Sequence, residues 1–165
     1  MPLIYLLRHG VATTDGPDPP LSEAGALRIE REARGMARLG LSFDAILHSP
    51  LLRAAQTARI VSETISHLSH GGTLAVEEAL GSGCTMPRLA QLLARHGSAR
   101  SLLLVGHQPD MGRLAAKLTG SHAPLPFDKG TLCCVELPER PTSRDEPRGA
   151  LIFLLPPAIL EALSP

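Results

Sequence analysis

Five apolar residues in a row, Leu3-Ile4-Tyr5-Leu6-Leu7, run directly into Arg8-His9-Gly10. A half-buried strand alternates, because successive side chains point to opposite faces; a continuous apolar run is the mark of a strand covered on both faces. Such a strand needs a layer of helices above and below it, which places it inside a mainly parallel sheet. Ser101 to Val105 repeats the pattern and runs into Gly106-His107-Gln108-Pro109. Both runs therefore end in a small loop that carries a histidine.

The chain between and after them alternates. Thr13 to Pro20 is rich in loop formers. Ser22 has N-cap chemistry, with Glu23 in the first turn and helical apolar spacing from Ala24 through Leu39 to a stop at Gly40. Phe43 to Leu47 reads as a second strand. Ser49 and Pro50 then read as N-cap and first turn of a helix to about Ser66. Gly71-Gly72 is a turn, Thr73 to Val76 a short strand, Ala79 to Thr85 a loop, and Met86 to Arg95 a helix. After Val105 come a helix over Asp110 to Leu118 and two strands, Thr131 to Leu137 and Ala150 to Leu155. The Pro-rich segment Pro138 to Gly149 joins these strands as an exposed hairpin loop. The expected fold is α/β: a three-layer α/β/α sandwich with a mainly parallel central sheet and an antiparallel contribution from the C-terminal strands. Residues 1–165 are expected to form a single domain. The final segment, Pro156 to Pro165, with Ile159, Leu160 and Leu163, could dock on the body or on a second copy, and docking on its own core is the plainer reading.

Charge narrows the functional classes. Sixteen basic residues balance sixteen acidic ones, and there is no Trp, one Tyr and three Phe. That argues against a nucleic-acid partner, which needs a basic face and usually stacking aromatics. No apolar run approaches the about 20 residues of a membrane span, and Met1-Pro2-Leu3 lacks the basic region of a signal peptide. Cys84, Cys133 and Cys134 are few, and the adjacent pair would point to opposite faces of a strand, so a reduced, cytoplasmic protein is the simplest account. His67 and His70 are spaced to share a helix face, but no further ligand pattern supports a metal site.

The chemistry collects at strand ends. In an open α/β sheet, ligands bind beyond the carboxyl ends of the strands. Arg8 and His9 end the first strand, Arg53 lies in the first turn of the helix after the second, and His107 ends the strand from Ser101. Two guanidinium forks, which stay charged and match phosphate oxygens, would then face two imidazoles. One imidazole can attack phosphorus while neutral, and the other, when protonated, can stabilise the transferring group. Each feature alone has a plainer reading as a turn or a solvated side chain; their convergence on one sheet edge does not.

Leu7-Arg8-His9-Gly10, Ser49-Pro50-Leu51-Leu52-Arg53-Ala54-Ala55-Gln56-Thr57-Ala58 and Val105-Gly106-His107-Gln108-Pro109 resemble the three signatures of the histidine phosphatase superfamily, which also holds the cofactor-dependent phosphoglycerate mutases. Leu21-Ser22-Glu23-Ala24-Gly25 is similar to its first-helix motif. The resemblance implies that His9 is the nucleophile that becomes phosphorylated and that Arg8, Arg53 and His107 bind the phosphoryl group with it. It implies no metal and no organic cofactor. The short chain and the Val-Gly-His-Gln-Pro form look most like the SixA-type phosphohistidine phosphatases, which implies phosphohistidine on a protein partner as substrate. A small phosphate ester, a mutase-like phosphotransfer, or a phosphate-recognition module without turnover are the alternatives. Many family phosphatases place a carboxylate general acid after the third strand; Glu77 and Glu78 lie near that position, and two solvated glutamates are the plainer reading. Pro20 stands where the family often has Arg, leaving one fewer cation near that loop.

Overall fold

The computed structural model describes residues 1–67, 72–144 and 146–165. The elements run β1 (Leu3–Arg8), α1 (Glu23–Arg38), β2 (Ala45–His48), α2 (Leu52–Ser66), β3 (Thr73–Val76), a 3-10 turn (Glu78–Leu80), α3 (Met86–Arg95), β4 (Ser101–Gly106), α4 (Asp110–Thr119), β5 (Leu132–Glu136), β6 (Ala150–Leu155) and α5 (Pro157–Ala162). The sheet order is β3-β2-β4-β1-β5-β6. β3, β2, β4 and β1 are mutually parallel; β5 runs antiparallel to β1, and β6 antiparallel to β5. The mainly parallel sheet with an antiparallel C-terminal edge is therefore present as expected.

Burial on both faces explains the continuous apolar runs. Ile4, Leu6, Leu102, Leu104 and Cys133 pack with Leu89 and Leu93 of α3 and Met111 and Leu114 of α4. Tyr5, Leu7, Leu103, Val105 and Cys134 pack on the other side with Ile29 and Met36 of α1 and Ala58 and Val61 of α2. Each fully buried leucine contributes roughly 1.5–3 kcal/mol relative to exposure. Cys133 and Cys134 face opposite layers, as strand alternation requires, and all three cysteines are buried free thiols. Ser22 caps α1 through the Gly25 N–H at 3.0 Å, and Gly40 turns the chain out of it with φ +73°. Among the described residues no helix is long and apolar enough to cross a membrane.

Several boundaries differ from the sequence reading, each for a local reason. β2 starts at Ala45 and not Phe43. Phe43 instead packs edge-on against Tyr5, with ring centroids 5.0 Å apart, and the Asp44 carboxylate accepts the N–H groups of Arg100 and Ser101. α2 starts at Leu52, and Ser49 does not cap it. The segment read as loop from Ala79 opens within a 3-10 turn. The C-terminal segment forms α5, which docks on α1: Leu160 is buried and Glu161 meets Arg28 at 2.5 Å and Arg31 at 3.1 Å. Ile159 and Leu163 remain exposed. His70 and Gly71 lie outside the described residues, so the His67 and His70 pairing is not described. Among the described residues no group of three or more His, Cys, Asp or Glu side chains could share a metal ion.

Candidate active site

Strand register brings the two histidine loops together. Arg8 stands opposite Gly106 in the β1–β4 ladder, and His48 opposite Val105 in the β2–β4 ladder. The next backbone bonds extend those ladders: the His9 N–H donates to Gly106 O at 3.1 Å, and the Ser49 N–H to Val105 O at 3.0 Å. His9, Ser49 and His107 are thus neighbours because three parallel strands end at one level. The two imidazole centroids lie 5.1 Å apart, and both rings are buried, with 6% and 5% of their surface exposed.

The hydrogen bonds around His9 assign its tautomer. Nδ1 donates to Gly10 O at 2.7 Å, so Nε2 carries the lone pair. Arg53 Nε donates to that Nε2 at 3.2 Å. α2 is tied to the same loop by Thr57, whose Oγ1 accepts the Gly10 N–H at 3.1 Å and donates to Arg53 O at 2.7 Å. α1 closes from behind: a Cβ at Gly10 would lie 2.6 Å from Ile29 Cγ1.

His107 is fixed by Ser49. Ser49 Oγ accepts the Leu51 N–H at 3.1 Å and lies 2.7 Å from His107 Nε2. Having accepted from Leu51, the hydroxyl still has its proton and a second lone pair, so it can meet Nε2 as donor or as acceptor. His107 Nδ1 is buried with no hydrogen-bond partner among the described residues, and so is Arg8 Nε. Arg8 itself is anchored by Nη1 donating to Phe127 O at 2.8 Å. A buried guanidinium N–H and a buried imidazole nitrogen without a protein partner among the described residues, beside Arg53 and the His9 Nε2 lone pair, suit a tetrahedral anion.

Both imidazoles are neutral in this setting. Burial pushes His9 down to about 4, helped by His107, Arg53 and Arg8 and opposed by its bond to Gly10. Burial also pushes His107 to about 4, helped by the Arg53 charge and opposed by Asp110. The sequence reading lets the second imidazole be protonated when it stabilises the transferring group; with no anion beside them, burial and the arginines favour the free base of both.

The two carboxylates raised as general acids part company. Glu77 Oε2 meets Arg95 at 2.7 Å and its Oε1 meets His96 at 2.9 Å. Glu78 is exposed at the start of the 3-10 turn.

The histidine phosphatase superfamily (branch 1) matches residues 4–80. An uncharacterized protein from Picosynechococcus sp. is 38% identical over 136 residues, covering 74% of this chain and 78% of that one. The phosphohistidine phosphatase SixA of Escherichia coli is 27% identical over 139 residues, covering 82% and 86%. The solved structure of the protein histidine phosphatase SixA complexed with tungstate superposes with a TM-score of 0.80 at 24% identity, covering 96% of this chain and 99% of that one. The chain belongs to the histidine phosphatase superfamily. This membership supports a hydrolase that removes phosphoryl groups.

The structure of this histidine phosphatase also shows participants that the sequence reading did not identify. Ser49 was read as a helix cap and is instead the His107 partner. The cap of α2 comes from Asp18, whose two oxygens lie 3.0 and 3.1 Å from the Leu52 nitrogen. Gln56 accepts the Leu21 N–H at 2.7 Å, holding the loop before α1 against α2. The Phe127 carbonyl that anchors Arg8 carries no side-chain signal at all. Ser49 and Gln56 lie inside the quoted motif around Arg53, and that proximity was the available clue.

Proposed function

We propose that the chain is a phosphatase that takes the phosphoryl group onto His9, with phosphohistidine on a protein partner as its substrate. The observation that carries this reading is the His9 Nε2 lone pair, set by the Nδ1 bond to Gly10 O and flanked by Arg53. The phosphoryl oxygens would lie against Arg8 Nε, Arg53 and His107 Nδ1. Nε2 attacks phosphorus, forming a P–N bond as the bond to the leaving group breaks. When the leaving group is an imidazole protonated on its other nitrogen, it departs neutral by taking the bonding pair, and no general acid is needed. Water then attacks phosphorus, the P–N bond to His9 breaks with its electron pair returning to Nε2, and both water protons leave with the phosphate.

Resemblance to SixA supports the phosphohistidine substrate. Glu77, held by Arg95 and His96, is poorly placed to donate a proton to an ester, which supports a leaving group that needs none. Glu78 is the accessible carboxylate for an ester-cleaving alternative. Three buried free thiols suit a reducing compartment such as the cytoplasm.

The test is a brief exposure to labelled phosphohistidine protein followed by quenching. An acid-labile, base-stable phosphoryl group should appear on the chain and be absent from His9→Ala. Full turnover by His9→Ala would remove His9 from the reaction. Cleavage of a sugar phosphate in preference to phosphohistidine would replace the substrate assignment and bring Glu78 forward as the acid.

A further inference from the structure

Asp18 has no role in the chemistry just described, yet a single guanidinium connects it to the nucleophile. Arg53 points Nε at His9 Nε2, 3.2 Å away, and Nη1 towards Asp18 Oδ1, 3.8 Å away. The side chain of Asp18 is 43% exposed, so it stands at the rim and not in the floor. Among the described residues Asp18, Asp110 and Asp128 act on the cationic groups of the site. Asp110 is buried and its Oδ2 accepts the N–H groups of Gly83 and Cys84. Asp128 acts on Arg8 from the loop before β5. Among the described residues only Asp18 is both exposed and paired with the arginine that touches the nucleophile.

Its position is built. The loop from Thr13 to Pro20 is closed at its base by the Ala12–Leu21 bridge and by the Thr13 N–H donating to Pro20 O at 2.8 Å. Pro17, Pro19 and Pro20 restrict the backbone between. The Asp18 carboxylate then clamps onto the start of α2 through the Leu52 N–H. A carboxylate there interacts favourably with the helix terminus, and that anchoring holds a negative charge at the exposed side of Arg53.

We propose that Asp18 is a specificity-determining residue that sorts substrates by the charge of the group carrying the phosphoryl. The inference rests on the phosphatase reading above. The phosphoryl group itself is drawn in by Arg8 and Arg53. Whatever lies beyond it meets the Asp18 carboxylate. A cationic carrier, such as a protonated imidazole, is attracted; a carrier with its own carboxylate or second phosphate is repelled. Like charge placed against the wrong substrate is a common means of discrimination.

The experiment uses three aryl phosphates that differ only in a para carboxylate, carboxamide or trimethylammonium group. kcat/KM is measured for the unaltered protein, Asp18→Asn and Asp18→Ser. Asn keeps an oxygen for the Leu52 N–H while removing the charge, and Ser is a second neutral capping residue. Each variant should raise the carboxylate-to-carboxamide ratio by about tenfold and lower the trimethylammonium-to-carboxamide ratio, the size expected for one unit charge several ångström away at intermediate dielectric. If all three substrates change by a common factor, Asp18 is only a clamp and the inference fails. If the variants lose turnover in proportion to the basicity of the leaving group, Asp18 is a proton donor and the inference also fails. Phosphohistidine protein is assayed alongside, and turnover of neither it nor any of the three esters by the unaltered protein overturns the phosphatase reading, and the inference with it.

Discussion

Ser49 Oγ lies 2.7 Å from His107 Nε2 while accepting the Leu51 N–H at 3.1 Å. One buried hydroxyl therefore holds an imidazole whose other nitrogen is buried without a partner among the described residues. Ser49→Ala should release Nε2 from that bond and loosen the hold on the ring whose Nδ1 would face the phosphoryl oxygens. We expect kcat to fall by about a hundredfold, comparable to losing one preorganised donor. Ser49→Thr, which keeps the hydroxyl, should recover much of that loss. Steady-state kinetics on the two variants checks this, and equal activity of Ser49→Ala and the unaltered protein would dismiss a role for this bond.

The two imidazoles tie stability to acid pH. In the unfolded chain they titrate near the ordinary 6.5; in the fold, burial holds both near 4. Between those values the unfolded chain binds more protons, so stability is complete above about 6.5 and falls as pH drops towards 4. Each group contributes on the order of a few kcal/mol to that fall. Urea midpoints measured from pH 7 to 4 should decline, and the decline should be shallower in His107→Asn. NMR signals of the His9 and His107 imidazoles that titrate near 6.5 in the folded protein would contradict the buried, neutral assignment.

What the sequence disclosed was what depends on near neighbours in the chain. The apolar runs of β1 and β4, the Ser22 cap of α1 and the opposed faces of Cys133 and Cys134 all follow from local periodicity, and the structure has them. Arg8, His9, Arg53 and His107 meet because the strands carrying or preceding them are parallel and in register. The misreadings came from distant partners. Ser49 has the composition of an N-cap, but His107 lies within reach only after β2 and β4 pair. The cap it would have supplied comes instead from Asp18, 34 positions before Leu52. Glu32, which no motif in the sequence singles out, has a fully buried side chain.

Arg53 is not replaceable by a generic positive charge. Its Nε serves His9 and its Nη1 faces Asp18, a division of labour that needs the planar fork. Arg53→Lys should retain the fold and some phosphate binding but slow phosphoryl transfer to His9 by about 10²-fold or more. Rapid-quench measurement of His9 phosphorylation separates that step from hydrolysis. A lysine variant that transfers at the original rate would mean that charge alone suffices.

Glu32 supplies a stability signature opposite in sign to that of the histidines. Its carboxylate is fully buried, and burial pushes it up to about 8. Arg28 Nε lies 3.7 Å from Oε1, beyond hydrogen-bond distance, and is engaged by Glu161 at 2.5 Å, so it offsets little of the burial. The backbone of Gly130 packs directly on this carboxylate, at φ +89°, where any Cβ would overlap both oxygens. Because the folded value is raised above the ordinary 4.5, stability from this group is complete below about 4.5 and is lost as pH rises through 8. Glu32→Gln removes the titration, so it should match the parent in acid and exceed it by on the order of a few kcal/mol at pH 8 and above. Denaturation curves at pH 5 and pH 8.5 would show the two proteins diverging only at the higher value. The Gly130 N–H also donates to Arg8 O at 3.0 Å, so Gly130→Ala should both destabilise the fold and reduce phosphoryl transfer by displacing the strand end that carries Arg8. Parallel curves for parent and Glu32→Gln across that range would show that the buried carboxylate carries no raised proton affinity.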